Sequence, residues 1–352
     1  RRPHDNFIVV VPEQYTMETQ KKLVHMHSRK GILNIDVVSF ERLAYKVFEE
    51  LGGGNRPVLD DTGKNLIVRR VLEKEKKKLD YFGSSIEKTG FVSELKSVIS
   101  ELLQYGITPQ QLGEIGENVK EKQQLSAKLK DIRLVYKEFM AFLSTNYITS
   151  EEILDVLCGL VEKSKLIAGS EIIFDGFTGF TPIQYKLMRL LLVYSKDIKI
   201  SVTIDKKERP TGHEGWNNLF FMSKEMMNRL IAICEEEGIN VDDTVCVDRD
   251  INYRYEGAKD LAYLERNLFR YKGGVYTGTP ENIRIYEGSN PKEELQYIVS
   301  EILQLTRKEG FRYRDIAVVT ADLETYGKVA ANMMKKNDIP AFLDYKRSVA
   351  AH

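Results

Sequence analysis

The sequence predicts an α/β protein with two lobes of parallel sheet, the first split by an all-helical insertion. Three observations carry this. Strand-like and helix-like runs alternate at both ends of the chain, the order expected of parallel sheets. Residues 60–146 hold helical patterns and no convincing strand. The apolar run Ile172-Ile173-Phe174 delivers an acid, Asp175, at its C-terminal end, and a helix-period run over 183–192 follows. The expected boundaries are 1–56 with 150–250 for the first lobe and 57–149 for the insertion. A connection over 251–281 and the truncated start of a second lobe over 282–352 complete the chain.

Each element has a local reason. Residues 7–11 form an apolar strand stopped by Pro12, and 16–27 a helix with Thr16 as its expected cap. Residues 35–38 form a second strand; Ser39-Phe40 opens a helix that runs to Leu51 and stops at Gly52-Gly53-Gly54. The lysine-rich run 73–78 is a solvated helix face, and Lys64, Arg69 and Arg70 are expected on a similar face. Strand patterns return at 171–174 and 198–204, then a helix over 222–238 and a strand over 241–247. The polar stretch 248–280 reads as a connection with one helix. After it come a strand at 282–287, a helix at 291–308, a strand at 315–320, a helix at 323–337 and a short strand at 339–343.

The bulk numbers exclude several classes. A chain of 352 residues with 42% hydrophobic and 30% charged content is an ordinary globular composition of about two domains. Its formal net charge of zero gives no bulk attraction to nucleic acid, leaving only a local basic groove. No apolar run approaches the roughly 20 residues of a membrane span, and no signal peptide is visible. Cys158, Cys234 and Cys246 lie far apart, so no disulfide or zinc site is expected and a reducing, cytoplasmic setting fits. His25 and His27 are the only local histidine pair, and a surface position explains them better than a metal. The first residue is not Met and the chain ends in mid-pattern, so a piece of a longer protein is expected.

Asp175 poses the functional question. Nucleotide-binding folds place a magnesium ligand at the tip of a parallel strand. Hydrolysis usually needs a second acid beside it, and the next residue here is Gly176. Asp-Gly is also a common turn pair. Locally, a nucleotide site, a dead one and a plain turn all remain open, with the turn favoured.

The order of elements resembles the superfamily-1 helicases of the UvrD/Rep/RecB type, whose first RecA-like (P-loop NTPase-type) lobe is split by a helical insertion before a second RecA-like lobe. "IVVVPEQYTMETQKKL" and "IDVVSFERLAYKVF" sit where those proteins carry Thr-Phe-Thr-Asn-Lys-Ala and the DNA-touching Thr-Phe-His-Ser-Phe-Ala. "FDGFTGFTPIQYKLMRLLL" lines up with Asp-Glu-Phe-Gln-Asp-Thr-x-x-x-Gln, putting Asp175 on the magnesium-binding Asp and Gln184 on the trailing Gln. "GFRYRDIAVVTADLETY" and "NDIPAFLDYKRS" resemble the start of the second lobe. In that likeness the three parts correspond to the 1A, 1B and 2A subdomains. The strings "VPEQYTMETQKKLV", "DVVSFERLAYKVFEELGG", "LDDTGKNLIVRRVL" and "FDGFTGFTPIQYKLM" are closer still to the AddB family of the bacterial AddAB helicase–nucleases, over nearly the whole chain. The resemblance implies double-strand-break repair and recombination, an AddA-type partner subunit, and binding to single-stranded DNA and duplex ends. For the full-length family it also implies ATP, magnesium and a 4Fe–4S cluster.

The departures from that pattern imply lost chemistry. Gly176 replaces the catalytic Glu, Thr178 and Gly179 replace the coupling Gln-Asp, and Ala321 stands where an Arg usually meets the phosphates. No Gly-x-x-x-x-Gly-Lys-Ser/Thr occurs; in the family such a loop typically precedes the first strand seen here. A cationic finger alone contributes about 10³–10⁵ in rate, so Asp175, Gly176, Gln184 and Ala321 read as relics of a nucleotide site. No catalytic residue, metal ligand or cofactor is assigned to this stretch of chain.

Six residues are candidates for DNA contact: Gln14, Tyr15 and Thr16 after the first strand, and Ser39, Phe40 and Arg42 after the second. Strand ends are where such lobes bind ligands, and a hydroxyl at a helix N-terminus suits a phosphate. The plainer readings are a helix cap for Ser39, core packing for Phe40 and Tyr15, and an exposed ion pair for Arg42. Trp216, the sole Trp, is explained by burial or an interface. Three functions compete: a non-catalytic DNA-binding and scaffold portion of a helicase–nuclease, which takes part in recognising the hotspot sequence Chi; an active ATP-dependent motor; and a nucleotide-independent interaction module. A phosphate loop upstream separates the second from the first, and DNA binding at varied salt separates the third.

Overall fold

The computed structural model describes residues 5–52, 57–88, 90–119, 121–205, 208–209, 211–212, 215–247, 253–270 and 273–343, the side chains of 144–146 excepted. The chain divides into two compact units at 248/249.

The first unit is built on β1 (Asn6–Val10), α1 (Thr16–Met26), β2 (Ile35–Val38) and α2 (Phe40–Leu51). Ser39 caps α2 by accepting from the Arg42 N–H at 3.3 Å, and Gly52 ends it at φ +75°, a conformation that favours glycine. Gly53 and Gly54 lie outside the described residues. Thr16 is not the cap expected of it: Tyr15 holds that position, and the Thr16 hydroxyl donates backwards to the Glu13 carbonyl at 3.0 Å.

A helical insertion then leaves the sheet through β3 (Val58–Leu59) and comprises α3 (Asp61–Glu75), α4 (Phe91–Gln104), α5 (Pro109–Asn118) and α6 (Gln123–Asn146). It returns through β4 (Ile148–Thr149), which pairs with β3 in parallel. Its own core centres on Leu72, Ile99, Val135 and Phe139. Lys64 corrects an expectation here. It is 2% exposed, and its ammonium binds Glu151 at 2.8 Å and Ser150 at 3.1 Å instead of standing on a solvated face. Arg69 and Arg70 are exposed, Arg70 lying over the Phe142 ring.

After α7 (Ile153–Cys158) and α8 (Lys165–Ala168) the chain re-enters the sheet as β5 (Ser170–Phe174), followed by α9 (Pro182–Tyr194), β6 (Asp197–Ile200) and α10 (Phe221–Glu236). The sheet is parallel throughout, in the order β2-β1-β5-β6. One face, carrying Ile8, Val10, Val38, Ile172 and Phe174, is sealed by α2, α7, α9 and α10 through Leu43, Val47, Leu157, Leu187, Met188 and Met226. On the other, Val9, Val37 and Ile173 are half-buried. The strand expected at 198–204 ends at Ile200, where its partner Phe174 ends β5.

The second unit holds α11 (Lys259–Asn267), α12 (Pro291–Lys308) and α13 (Leu323–Lys336). The last two pack through Val299, Ile302 and Met334. The strands expected at 282–287, 315–320 and 339–343, and at 241–247 before them, do not form: these segments have no strand partner among the described residues, and Ile285 and Val319 are 95% and 91% exposed. β-propensity expresses fit to a pleated, half-buried surface, so without a neighbouring strand an apolar run gains nothing by pairing. Residues 344–352, expected to continue this lobe, lie outside the described residues.

Candidate functional site

The C-terminal ends of the four strands finish level. Val10 is in register with Val38 and with Phe174, and Phe174 with Ile200. The ladder runs one residue further: the N–H groups of Val11, Asp175 and Ser201 donate to the carbonyls of Val38, Val10 and Phe174 at 3.0, 3.1 and 2.9 Å. Ser39, Val11, Asp175 and Ser201 therefore begin four adjacent loops on one edge, the end at which parallel α/β sheets present ligand-binding groups.

At the β1 end a 3-10 turn over Glu13–Tyr15 leads directly into α1. Gln14 and Tyr15 are exposed, Tyr15 by 47%, while Thr16 is buried. At the β2 end Ser39 is buried by its capping role, and Arg42, on the first turn of α2, is exposed and pairs with Glu13, Nε to Oε1 at 3.4 Å. Phe40 is buried and points inward, its ring meeting Phe174, Phe177 and Phe180 at centroid separations of 5.8, 5.5 and 5.9 Å. That aromatic cluster, joined by Tyr185, fixes the start of α2 against the β5–α9 loop. Tyr185 lies under the Arg229 guanidinium, and its phenol is raised chiefly by burial, an effect that Arg229 opposes. The sequence showed these aromatics only as scattered residues.

The residues matched to a nucleotide site do other work. Asp175 is exposed and accepts the Ser201 hydroxyl. Gly176 sits at φ +80° with Pro12 beside it. Thr178 is exposed, and Gly179 lies near the Met222 methyl. Gln184 accepts from the Thr181 N–H at 2.9 Å, a capping box that opens α9. Ala321, in the second unit, is an exposed residue just before Asp322, which caps α13 through the Thr325 N–H at 3.0 Å. Hydrogen bonds from the Thr325 hydroxyl and N–H hold the Asp322 carboxyl below its ordinary value.

These residues do not fit a magnesium–nucleotide. A single exposed carboxylate is bonded to a serine, and the residue that follows it is a glycine instead of a second acid. Among the described residues no group of three or more His, Cys, Asp or Glu is placed to hold a metal ion. Cys158 and Cys234 are buried singly, burial pushing the Cys158 thiol up to about 11, and Cys246 is exposed. No iron–sulfur site can be built from them. Of the two explanations expected for Trp216, burial and an interface, burial does not hold: it is 86% exposed, in the loop between β6 and α10. None of the described helices is long and apolar enough to cross a membrane.

Comparison with known proteins places the chain in a family. The family model described as "ADDB, N-terminal" matches residues 1–265. A protein from Lachnoclostridium phytofermentans, named as the B subunit of an ATP-dependent helicase/deoxyribonuclease, is 40% identical over 352 residues, 99% of this chain and 31% of its own length. Proteins of the same name from Caldanaerobacter subterraneus subsp. tengcongensis and Symbiobacterium thermophilum are 36% and 35% identical, over 97% and 98% of this chain and 29% and 30% of their own. The chain thus spans just under a third of the length of the curated relatives it matches. On the family match over residues 1–265, the chain belongs to the AddB family.

Proposed function

We propose that this chain is the non-catalytic, helicase-like portion of the B subunit of an ATP-dependent helicase–nuclease that processes double-strand DNA ends for recombinational repair. It contributes single-stranded DNA binding, Chi recognition and scaffolding beside an AddA-type partner, in the cytoplasm. The relatives' printed name supports the assembly. The observation that carries the non-catalytic reading is the Asp175–Gly176 turn, where the carboxylate is engaged by Ser201 and the position of a water-orienting acid is a glycine at positive φ.

Residues 1–56 and 150–250 are read as a RecA-like lobe, supported by the parallel order and the ligand-facing edge. Residues 57–149 are the insertion, supported by its separate core, and 251–281 a connection. The second lobe from 282 rests on α12 and α13 alone. ATP, magnesium and the 4Fe–4S cluster implied for the whole protein are assigned to the rest of the assembly, because neither Asp175 nor the three cysteines supply their ligands.

DNA runs across the β1 and β2 ends. Gln14, Tyr15 and Arg42 offer side chains, the first turn of α2 after Ser39 offers helix-start N–H groups, Phe40 holds α2 in place, and Thr16, whose N–H and hydroxyl both bond the Glu13 carbonyl, fixes the turn that carries Gln14 and Tyr15. The test is titration of labelled single-stranded DNA against wild type and an Arg42→Ala, Tyr15→Ala double variant over a range of salt. Weaker binding with a shallower salt dependence is expected, each phosphate contact contributing about 0.7 to the logarithmic slope. Equal affinity and slope in both proteins would remove these residues from the DNA path.

A further inference from the structure

We propose that Trp216 is a base-stacking platform for single-stranded nucleic acid, held at the same end of the sheet as Ser201 and Asp175. The proposal rests on the DNA-binding reading above and adds a site to it. The position follows from the chain path. The loop carrying Trp216 leaves β6 at Ser201, on the strand-tip edge. It ends at the start of α10, where the Met222 methyl lies beside Gly179 of the loop after β5. Both ends of the Trp216 loop are therefore at the tip edge.

The loop is pinned. Lys224, 2% exposed on the first turn of α10, forms an ion pair with Glu208. The Asn218 side chain donates to the same carboxylate at 3.2 Å. Asn228 exchanges hydrogen bonds with the Gly212 backbone, its amide donating to the carbonyl at 3.1 Å and its oxygen accepting the N–H at 3.4 Å. Trp216 sits between the anchors at Gly212 and Asn218 and is still 86% exposed. Holding the largest apolar ring in water on an anchored loop gains nothing for folding; it spares a ligand the ordering penalty on binding.

The surroundings select the ligand. Among the described residues that flank the ring in sequence, Thr211, Gly212, Gly215 and Asn217 are all exposed. A protein hot spot needs a collar that excludes water, which small and polar residues do not provide. A base needs only an open π-face. Leu219 and Met222, further along the same segment, are also exposed, and the Met222 methyl lies near Gly179.

Trp216 is the only tryptophan, so its fluorescence reports the contact directly. Oligothymidylate added to the 352-residue chain should quench the emission, and blunt duplex DNA should not. In an anisotropy titration Trp216→Ala should weaken oligothymidylate binding about tenfold and Trp216→Phe by less, both leaving the salt slope unchanged because no charge is lost. The ring is solvent-exposed, so far-ultraviolet circular dichroism of Trp216→Ala should match wild type. Binding that depends on Arg42 but neither quenches Trp216 nor responds to its replacement overturns this site and leaves the wider reading standing. Absence of any binding overturns both. An emission change produced by an added partner subunit and not by oligothymidylate reassigns the ring to a protein contact and overturns the proposal.

Discussion

Arg42 reaches across the strand tips to Glu13, Nε to Oε1 at 3.4 Å, tying the first turn of α2 to the turn after β1. Both side chains are more than half exposed, so the pair adds little to stability, about 0.2–1 kcal/mol by comparison with similar surface pairs. Its larger effect concerns ligands. A phosphate that takes Arg42 must displace Glu13 and then lie beside its negative charge. Glu13→Gln should strengthen binding of single-stranded DNA a few-fold and leave the melting temperature nearly unchanged. Unaltered or weaker binding in Glu13→Gln counts against Arg42 as a phosphate contact.

Restoring an acid at 176 should not restore chemistry. Gly176→Glu places a side chain at φ +80°, which costs about 1–2 kcal/mol of stability. An added Cβ would meet Pro12 only at an ordinary 3.6 Å, so strain and not collision sets that figure. Phosphate release from ATP should stay at background in wild type and in Gly176→Glu, with or without DNA. Release that rises with protein concentration in either would end the reading of Asp175 as a relic.

The buried Lys64 ammonium ties α3 to the segment after β4, at the neck where the insertion leaves and rejoins the first unit. Lys64→Met leaves Glu151, mostly enclosed, without its cation. Breaking such a pair by removing one partner costs about 3–5 kcal/mol, and the partial exposure of Glu151 puts this case near the lower figure. The double variant Lys64→Met, Glu151→Leu should recover most of the loss, as read by urea midpoints. A double variant as unstable as the single one points to lost packing instead.

The same pair fixes a pH dependence. Burial is the largest single effect and works to raise the Glu151 carboxyl, but the Lys64 hydrogen bond and charge, with hydrogen bonds from its own backbone N–H and from Thr149, together outweigh it, and the net pKa lies below the ordinary 4.5. A carboxyl lowered in the folded state stabilises fully above its unfolded value, and that contribution is lost as pH falls through the folded value. Wild type should therefore lose stability on acidification from 4.5 downward more steeply than the Lys64→Met, Glu151→Leu double variant. Parallel acid profiles for the two proteins would show that other carboxyls dominate.

How far the sequence carried the argument depended on the range of the interactions. β1, β2 and α2 were legible because apolar runs, Pro12, Ser39 and Gly52 are local signals. Lys64 was misjudged because its partner lies 87 residues away. Ser201 was missed because its bond to Asp175 exists only once β5 and β6 are in register. The same limit explains the segments at 282–287 and 315–320, whose side chains suit a strand but whose backbones find no neighbour among the described residues. Asp175 itself stood out, and resemblance gave it a meaning that the local Asp-Gly pair alone did not.

The two-residue ribbon at the neck has an evolutionary reading. The Pro57 carbonyl accepts from the Ile148 N–H at 3.2 Å, so the points where the chain departs and returns already touch. Everything between them is topologically a cassette: shortening it to a brief turn would leave the path of the sheet uncut, although Glu151 would then need a new partner. Such a seam lets an ancestral sheet acquire, enlarge or exchange a helical module by insertion at one site, without reordering a single strand.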